Sequence, residues 1–347
     1  MSGKRCLVTG GAGFLGINLI RYLLHRGYIV RSLDIAPFLY PEREQVEVMQ
    51  GDVGAAEIVD RATADVDIVF HCAAALPLSS PEAIHSSIVD GTRNVLNAAL
   101  KYGVARTVYI SSTAVYGIPD HHPLFEHDEL KGVGPYGNAK IEAEACCREF
   151  QRKGLCVSIL RPKTFVGPER LGVFAILYDW AYDGKNFPMI GDGGNRYQLL
   201  DVEDLCRACL LCITAPAEVI NDTFNVGAKT FGTMREDFQA ILDRAGYGKK
   251  IIAFPRWPVI QILRLLEALH LSPLYRWVYE TAGTDSIVST QKIETKLGFV
   301  AQFSNRDALL RNFEWYLAHR EEIKATAGVS HRVQWRQGML RFIKLFF

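Results

Sequence analysis

Residues 9–16 read Thr9-Gly10-Gly11-Ala12-Gly13-Phe14-Leu15-Gly16. The apolar run before them, residues 6–8, suits a strand buried on both faces, and residues 14–26 carry apolar side chains at helical spacing. A glycine-rich turn between a buried strand and a helix predicts the phosphate-binding turn of a dinucleotide fold, because backbone N–H groups and the positive helix end face a pyrophosphate there. The residues of this turn assigned to the cofactor are Gly10, Gly13, Phe14, Leu15 and Gly16.

An acidic residue follows the second predicted strand. That strand covers residues 28–33, and Asp34 follows it directly. A carboxylate at this distance from the glycine turn can accept hydrogen bonds from an adenosine ribose and repels a 2′-phosphate, so it favours NAD over NADP. Arg31 lies nearby and weakens this preference. The predicted cofactor is NAD.

The composition limits the classes of protein that fit. With 347 residues, net charge +1 and 49% hydrophobic residues, the chain can bury a large core, and neither disorder nor a basic nucleic-acid-binding field is indicated. Residues 1–16 lack the order of a signal peptide, so we expect a cytoplasmic protein with reduced cysteines. Cys206, Cys209 and Cys212 repeat every three residues within an apolar helical pattern, which favours buried thiols over metal ligands, and no metal site is predicted.

Further strands, at residues 45–50, 67–71 and 106–110, alternate with helical stretches, of which a long helix covers roughly residues 81–102. This alternation predicts an α/β fold with a Rossmann-type, doubly wound parallel sheet. Asp52 and Val53 follow the first of these strands, and Asp52 could bond the adenine amine or serve as a turn or helix cap. Ala73 and Ala74 follow the second, where small side chains would let a cofactor lie against the backbone.

The candidate catalytic residues come next along the chain. Ser112 follows the strand at 106–110, and Tyr136 and Lys140 are spaced i, i+4 on a predicted helix over 136–152, so both project from one face. A phenol is a poor base near neutral pH, but an ammonium one helical turn away stabilises the phenolate and lowers its pKa. A serine hydroxyl within reach can relay the proton or hold the substrate oxygen. Ser112, Tyr136 and Lys140 are therefore the predicted catalytic residues.

Several ordered motifs resemble the extended short-chain dehydrogenase/reductase superfamily, in its NAD-dependent epimerase/dehydratase branch. Besides the turn, Asp34 and the catalytic residues, the motifs are Gly51-Asp52-Val53, Val115-Tyr116-Gly117, Leu160-Arg161-Pro162, Gly167-Pro168, Gly191-Asp192-Gly193 and Lys296-Leu297-Gly298-Phe299. The resemblance runs from Thr9 to about Phe299. It implies an NAD-dependent enzyme in which Tyr136 is the base and Lys140 also bonds the nicotinamide ribose.

The residues after Ser112 narrow the reaction that this resemblance implies. Sugar-nucleotide 4,6-dehydratases carry Asp-Glu there and UDP-glucuronate decarboxylases carry Glu, whereas this chain has Thr113-Ala114. Neither side chain can supply the acid or base of those reactions. With dehydration and decarboxylation excluded, the remaining reaction is oxidation and reduction at one carbinol, either as a reversible epimerisation or as a net dehydrogenation.

The substrate is less defined, because three family positions differ. Ile88 and Thr164 stand where most sugar-nucleotide members have Asn, and Arg196 lies one step before the usual diphosphate-binding position, which is Tyr197 here. Thr113, Thr164 and Arg196 are the candidate substrate residues. The leading prediction is a sugar 4-epimerase or oxidoreductase acting on a nucleotide-linked or lipid-carrier-linked sugar. The alternative is a 3β-hydroxysteroid or other lipid alcohol dehydrogenase.

The predicted organisation has three parts. Residues 1–165, with a return strand near 222–228, form the NAD-binding domain. Residues 166–325 form mainly a substrate-binding lobe, and residues 326–347 form a basic amphipathic tail. The tail composition suits either the surface of a membrane, at its inner face, or docking on the chain's own domain or on a partner. The resemblance also implies a homodimer, paired through helices around 84–100 and 136–152.

Overall fold

A computed structural model describes residues 3–268, 279, 283–324, 344 and 347 of the chain. The described residues fall into two compact units. Unit 1 takes them from 1–165, 202–227 and 288–301, and unit 2 from 166–201, 228–287 and 302–347. Unit 1 thus holds more of the chain than the predicted 1–165 with its return strand, because residues 202–227 and 288–301 also pack with it.

The secondary structure follows the predicted alternation. The strands are β1 (Arg5–Thr9), β2 (Ile29–Asp34), β3 (Val46–Gln50), β4 (Ile68–His71), β5 (Arg106–Ile110), β6 (Val157–Pro162), β7 (Phe165–Val166), β8 (Phe187–Ile190), β9 (Leu200–Asp201), β10 (Thr223–Val226) and β11 (Ile251–Phe254). The helices are α1 (Phe14–Leu24), α2 (Ala56–Thr63), α3 (Pro81–His85), α4 (Gly91–Lys101), α5 (Gly134–Arg152), α6 (Phe174–Tyr182), α7 (Val202–Thr214), α8 (Ala217–Ile220), α9 (Met234–Ala245), α10 (Arg256–Ala268), α11 (Gln291–Leu297) and α12 (Asn305–Lys324).

Unit 1 is built on a seven-stranded sheet in the order β10-β6-β5-β4-β1-β2-β3. Every neighbouring pair in it is parallel. The order reverses direction at β1 and β4, which is the switch point where ligands bind outside the carboxyl ends of the strands. The central strands are buried along their length, as their continuous apolar sequences require. The predicted doubly wound Rossmann-type sheet is confirmed.

The stretch predicted as one helix over 81–102 is divided into three parts. Helix α3 leads into a wider π-helical turn, Ser86–Asp90, before α4 begins. Inside this region the Thr92 hydroxyl donates to the Ile88 carbonyl, four residues back. Such side-chain donors within a helix perturb its backbone hydrogen bonds and open its turns, which is consistent with the break here.

Unit 2 has its own core around α6, α9 and α12. The sequence pattern over residues 171–183 predicts an amphipathic helix. This prediction is wrong, because α6 is buried on almost every side and only Tyr182 at its end is exposed. Helix α9 begins with a capping box between Thr233 and Glu236 and ends at Gly246, which has a positive φ of 82°. These signals define its ends locally.

Residues 258–277 are unusually apolar and predict a helix of the core or of the lobe. Much of this segment lies outside the described residues, and so does most of the predicted tail, 326–347. Two tail residues are described, and both contact α6 or the residue that follows it. The Lys344 ammonium forms ion pairs with Asp179 and Asp183, and the Phe347 ring lies 5.6 Å from that of Trp180. These contacts are of the kind expected for a tail docked on its own domain. Among the described residues, no helix is long and apolar enough to cross a bilayer.

The sheet core gives a direct stability test. Leu7 is fully buried in β1, whereas Leu39 is 84% exposed. We expect Leu7→Ala to lower the free energy of unfolding by about 2–5 kcal/mol, because the cavity cannot close around a rigid sheet. Leu39→Ala should change it by less than about 0.5 kcal/mol. Urea denaturation of both variants measures the difference, and equal effects would contradict the buried position of β1.

Candidate functional site

The glycine turn follows β1 and leads directly into α1. Gly10 has a positive φ of 69°, and a Cβ there would lie 2.8 Å from the backbone of Ala73. A Cβ at Gly16 would lie 2.1 Å from the Gly10 carbonyl oxygen. Both positions therefore require glycine, since the turn packs against the end of β4 on one side and against the first turn of α1 on the other.

The start of α1 fits an anionic group. Its N-cap is Gly13, with no side-chain cap and no acidic residue in the first turn. The first N–H groups of a helix lack intrahelical partners and carry a partial positive charge. Phe14 and Leu15 are buried, with the Phe14 ring stacked 5.4 Å from that of Phe165. Their backbone, rather than their side chains, could therefore hold a pyrophosphate.

Asp34 lies at the end of β2, beside this turn. Its Oδ2 accepts from the Ala12 N–H at 2.9 Å and its Oδ1 from the Ala36 N–H at 2.9 Å. A carboxylate can accept further hydrogen bonds, so this geometry leaves capacity for ribose hydroxyls. The position of Asp34 thus fits an adenosine ribose next to the glycine turn.

Arg31 does not face this position. Its guanidinium is buried, donates to the Ala62 and Ala64 carbonyls at 2.7 Å each, and pairs with Glu47 at 3.0 Å. The expectation that Arg31 weakens the NAD preference is not supported by these contacts, because its charge is directed to the end of α2.

Asp52 and Val53 follow β3. Asp52 is exposed, and its Oδ1 accepts from the Gly54 N–H at 2.8 Å, as in an Asx turn. Val53 is buried, and its carbonyl accepts from Asn94 at 3.0 Å. The hydrogen bond to Gly54 thus agrees with the turn interpretation and occupies one oxygen of the Asp52 carboxylate. The contact of Asp52 with adenine stays a prediction.

The end of β4 is fixed by a buried chain of hydrogen bonds. The Ala73 N–H donates to Thr9 Oγ1 at 3.2 Å, and His71 lies between Thr9 Oγ1 at 2.7 Å and Thr92 Oγ1 at 3.0 Å. Burial lowers the pKa of His71 to about 3, so the ring is neutral and structural. Ala74 is exposed beside it. The sequence did not point to His71, whose only signal is a polar residue at the end of an apolar strand.

Ser112 lies just beyond β5. Its Oγ accepts from the Ala114 N–H at 3.1 Å and so caps a short 3₁₀ turn, Thr113–Tyr116. A Cβ on Gly137 would lie 3.0 Å from the Ala114 carbonyl, so the first turn of α5 packs on this 3₁₀ turn. Tyr136 immediately precedes Gly137 and is half-buried. The structure therefore brings the Ser112 turn and the start of α5 together.

Lys140 lies one turn further along α5. Its Nζ donates to the Ile110 carbonyl at 2.8 Å and lies 6.0 Å from the centroid of the Tyr136 ring. Burial lowers the pKa of Lys140 to about 8, so the ammonium form prevails at neutral pH. A positive charge at this distance can stabilise a developing phenolate.

The three candidate substrate residues are divided between the units. Thr113 is half-buried directly after Ser112, and Thr164 is half-buried just beyond β6, both in unit 1. Arg196 belongs to unit 2, where it is exposed and its guanidinium lies 4.8 Å from the centroid of the Phe231 ring. The three candidate substrate residues therefore do not all belong to unit 1.

Residues 6–227 match the NAD dependent epimerase/dehydratase family, which is well over half of the chain. The chain belongs to this family. Its membership confirms the predicted enzyme class and NAD as the cofactor.

Curated relatives span several activities. An uncharacterized protein of Sinorhizobium fredii is 34% identical over 98% of this chain and 85% of its own length. A 3 beta-hydroxysteroid dehydrogenase/Delta 5-->4-isomerase of Mycobacterium tuberculosis is 29% identical over 93% of both chains. A dTDP-glucose 4,6-dehydratase of Streptomyces antibioticus is 30% identical over 71% of this chain and 78% of its own.

Solved structures share the fold over nearly the whole chain. The epimerase Mth375 of Methanothermobacter thermautotrophicus is 28% identical, with a TM-score of 0.79, and the match covers 94% of this chain and 96% of that one. The UDP-glucose 4-epimerase of Thermotoga maritima, solved with UDP-glucose, is 25% identical, with a TM-score of 0.76 and coverage of 91% and 99%.

The glycine turn offers a test of the cofactor site. In Gly16→Ala the added methyl group would displace the Gly10 carbonyl, only 2.1 Å away, and with it the glycine turn predicted to bind phosphate. We expect the Kd for NAD to rise at least about tenfold, measured by isothermal titration calorimetry. Gly194→Ala, where the Cβ would make an ordinary contact at 3.4 Å, should leave the Kd within about twofold. Wild-type affinity in Gly16→Ala would contradict the assignment.

Proposed function

We propose that this chain is an NAD-dependent sugar 4-epimerase or oxidoreductase that acts on a nucleotide-linked or lipid-carrier-linked sugar through a transient keto intermediate. The observation that carries the proposal is the position of Lys140. Its ammonium is fixed on the Ile110 carbonyl, beside the Tyr136 ring and one residue from the Ser111-Ser112 pair. That arrangement suits oxidation of a carbinol.

Each side chain has a defined task in this proposal. Tyr136, as phenolate, takes the proton of the substrate hydroxyl, and Lys140 stabilises that phenolate. The Ser112 oxygen accepts from Ala114, so its own proton is available to hold the substrate oxygen. NAD, when bound, supplies the hydride acceptor. An epimerisation would be complete once that hydride returns to the opposite face of the keto carbon and Tyr136 returns the proton to the carbonyl oxygen.

Elimination of water is not part of the proposal, although one relative is named as a dehydratase. Thr113 and Ala114 occupy the short turn after Ser112. A hydroxyl and a methyl group cannot provide the acid and base that this elimination requires. The proposal therefore keeps only the redox steps.

The sugar substrate is supported by similarity to the UDP-glucose 4-epimerase structure over more than nine-tenths of this chain. Within the proposal, Thr113 and Thr164 contact the sugar and Arg196 a phosphate. Arg196 is exposed and long enough to present its guanidinium to a ligand.

The second candidate is a 3β-hydroxysteroid or other lipid alcohol dehydrogenase. The specific observation in its favour is the relative of that name, which is 29% identical across 93% of both chains. Ile88, which replaces the usual Asn, is buried in the π-helical turn and supplies no polar contact through its side chain. The same three catalytic residues would then perform a net oxidation.

One experiment separates the candidates. Purified protein is incubated with UDP-GlcNAc or UDP-galactose, with a polyprenyl-linked sugar, and with a 3β-hydroxysterol plus NAD. Epimerisation without net NADH supports the first candidate, and stoichiometric NADH with the sterol supports the second. The absence of turnover in all three reactions would contradict both.

The role of Tyr136 is tested by removing one oxygen atom. We expect Tyr136→Phe to lower kcat by about 10²- to 10⁴-fold, since the base is lost, with the Kd for NAD within about twofold. The matched control is Tyr102→Phe. Tyr102 directly follows α4, and the substitution removes a hydroxyl that donates to Asp60 on α2. Its kcat should equal that of the wild type. Full activity in Tyr136→Phe would refute the mechanism and would favour a non-catalytic NAD-binding protein.

Membrane contact, a cytoplasmic location and a homodimer paired through the helices around 84–100 and 136–152 stay predictions. Lys344 and Phe347 pack on unit 2, which favours docking of at least the end of the tail. If the tail also reaches a membrane, the intact chain will co-sediment with anionic liposomes and a variant lacking 331–347 will not. Failure of the intact chain to co-sediment would end that prediction.

A further inference from the structure

A fully buried ion pair lies behind the catalytic residues. Glu144 on α5 is 0% exposed and Arg161 on β6 is 2% exposed. Arg161 Nε donates to Glu144 Oε1 at 2.8 Å, and its Nη2 donates to Oε2 at 2.6 Å. This is a bidentate pair, the geometry in which a guanidinium and a carboxylate bind most strongly.

Two further donors complete the surroundings of the carboxylate. The Ser111 hydroxyl donates to Oε1 at 2.6 Å and Arg148 donates to Oε2 at 3.1 Å. Burial acts to raise the pKa of Glu144, but the hydrogen bonds and charge of Arg161, with help from Ser111 and Arg148, outweigh it and lower that pKa. Glu144 is therefore ionised in the interior.

These contacts reach the catalytic turn from α5. Lys140 and Glu144 are one helical turn apart, and they hold consecutive residues at the end of β5. Lys140 bonds the Ile110 carbonyl and Glu144 bonds the Ser111 hydroxyl, and the next residue is Ser112. Helix α5 thus fixes the strand end that presents Ser112.

The far end of the 3₁₀ turn is held by the same pair. Arg161 Nη1 donates to the Tyr116 hydroxyl at 2.8 Å, and that hydroxyl donates to Asn225 Oδ1 at 2.8 Å. Tyr116 is the last residue of the turn that begins after Ser112. Both ends of the turn are therefore anchored to one buried network.

A buried ion pair is by itself weak evidence for stability, because desolvation of the two charges offsets their attraction. Its better-supported use is to specify one arrangement of the groups that it joins. We propose that Glu144 is a positioning residue, whose carboxylate, fixed by Arg161, holds Ser111 and places a negative charge beside Lys140. The proposal deepens the redox function proposed above and rests on it for its kinetic effect.

Lys140 is surrounded by titratable groups from three elements. They are Tyr136, Glu144 and Cys147 on α5, Tyr109 on β5, and His71 and Cys72 at the end of β4. Burial raises the pKa of Cys72 to about 12 and that of Cys147 well above its usual value, and it keeps His71 neutral. Near neutral pH, Glu144 thus supplies the negative charge that acts to raise the pKa of Lys140.

The first test replaces the charge alone. In Glu144→Gln the pKa of Lys140 should fall further below about 8, because burial is no longer opposed by a neighbouring carboxylate. Titration of the ¹³Cε resonance of labelled lysine measures it without substrate, with Lys140→Arg and Lys163→Arg variants for assignment. We expect a midpoint lower by roughly half a pH unit or more, and kcat at least about tenfold lower.

The matched control is Glu42→Gln. Glu42 also pairs with an arginine through both oxygens, at 2.7 and 3.5 Å, but the pair is partly exposed and lies between α1 and the segment after β2. In the Glu42→Gln variant, the pH midpoint of the Lys140 titration and kcat should both match those of the wild type. If Glu144→Gln does not fold, the double variant Glu144→Gln/Arg161→Gln removes both buried charges together. It should show a smaller fall in the Lys140 midpoint, because loss of the Arg161 charge acts in the opposite direction.

A second pair of variants tests the hydrogen bond. Ser111→Ala leaves the ion pair intact and should lower kcat about fivefold or more, with the KM for NAD unchanged. Ser158→Ala, an equally buried serine that bonds the Ile220 carbonyl at 2.7 Å, should not affect kcat. An unchanged Lys140 midpoint in Glu144→Gln, or in the double variant, overturns the proposal. Lack of turnover by the wild type instead refutes the proposed function, while the Lys140 midpoint still decides the role of Glu144.

Discussion

The hydrogen bond from the Lys140 ammonium to the Ile110 carbonyl joins the two halves of the candidate catalytic centre. It ties α5, which carries Tyr136, to the strand end that carries Ser112. Because Lys140 is buried, its charge is partly destabilised, and its pKa falls to about 8. The same burial strengthens its effect on Tyr136, since a charge acts more strongly on a neighbour when water is excluded. Glu144, one turn along, offsets part of the cost of burial.

The cofactor side of the site depends on backbone rather than on side chains. Gly10 and Gly16 leave no room for a Cβ, and Gly13 caps α1 with no side chain that could compete with a ligand. Asp34 is held by two backbone N–H groups and Arg31 is turned away toward the end of α2. These contacts agree with the cofactor of the NAD dependent family to which the chain belongs.

Local patterns in the sequence predicted the sheet, the glycine turn and the spacing of Tyr136 and Lys140, because each depends on neighbours within about one βαβ unit. They did not predict Glu144 or Arg161 as partners, since charged residues on a helix or near a strand end usually face solvent. One signal was present: Glu144 continues the i, i+4 series of Tyr136 and Lys140 on α5. The wide turn at Ser86–Asp90 contains the Ile88 carbonyl that accepts from the Thr92 hydroxyl, a contact that no periodicity reports.

The central claim, carbinol oxidation and reduction with Tyr136 as base, is tested most directly by the fate of the carbon-bound hydrogen. The wild-type protein with NAD is incubated with UDP-galactose in D₂O, and the C4 position of the epimerised sugar is examined by NMR. The proposed route returns the original hydrogen to carbon, so we predict inversion at C4 with no deuterium incorporated there. Deuterium at C4, or inversion by Tyr136→Phe at the wild-type rate, would contradict the account.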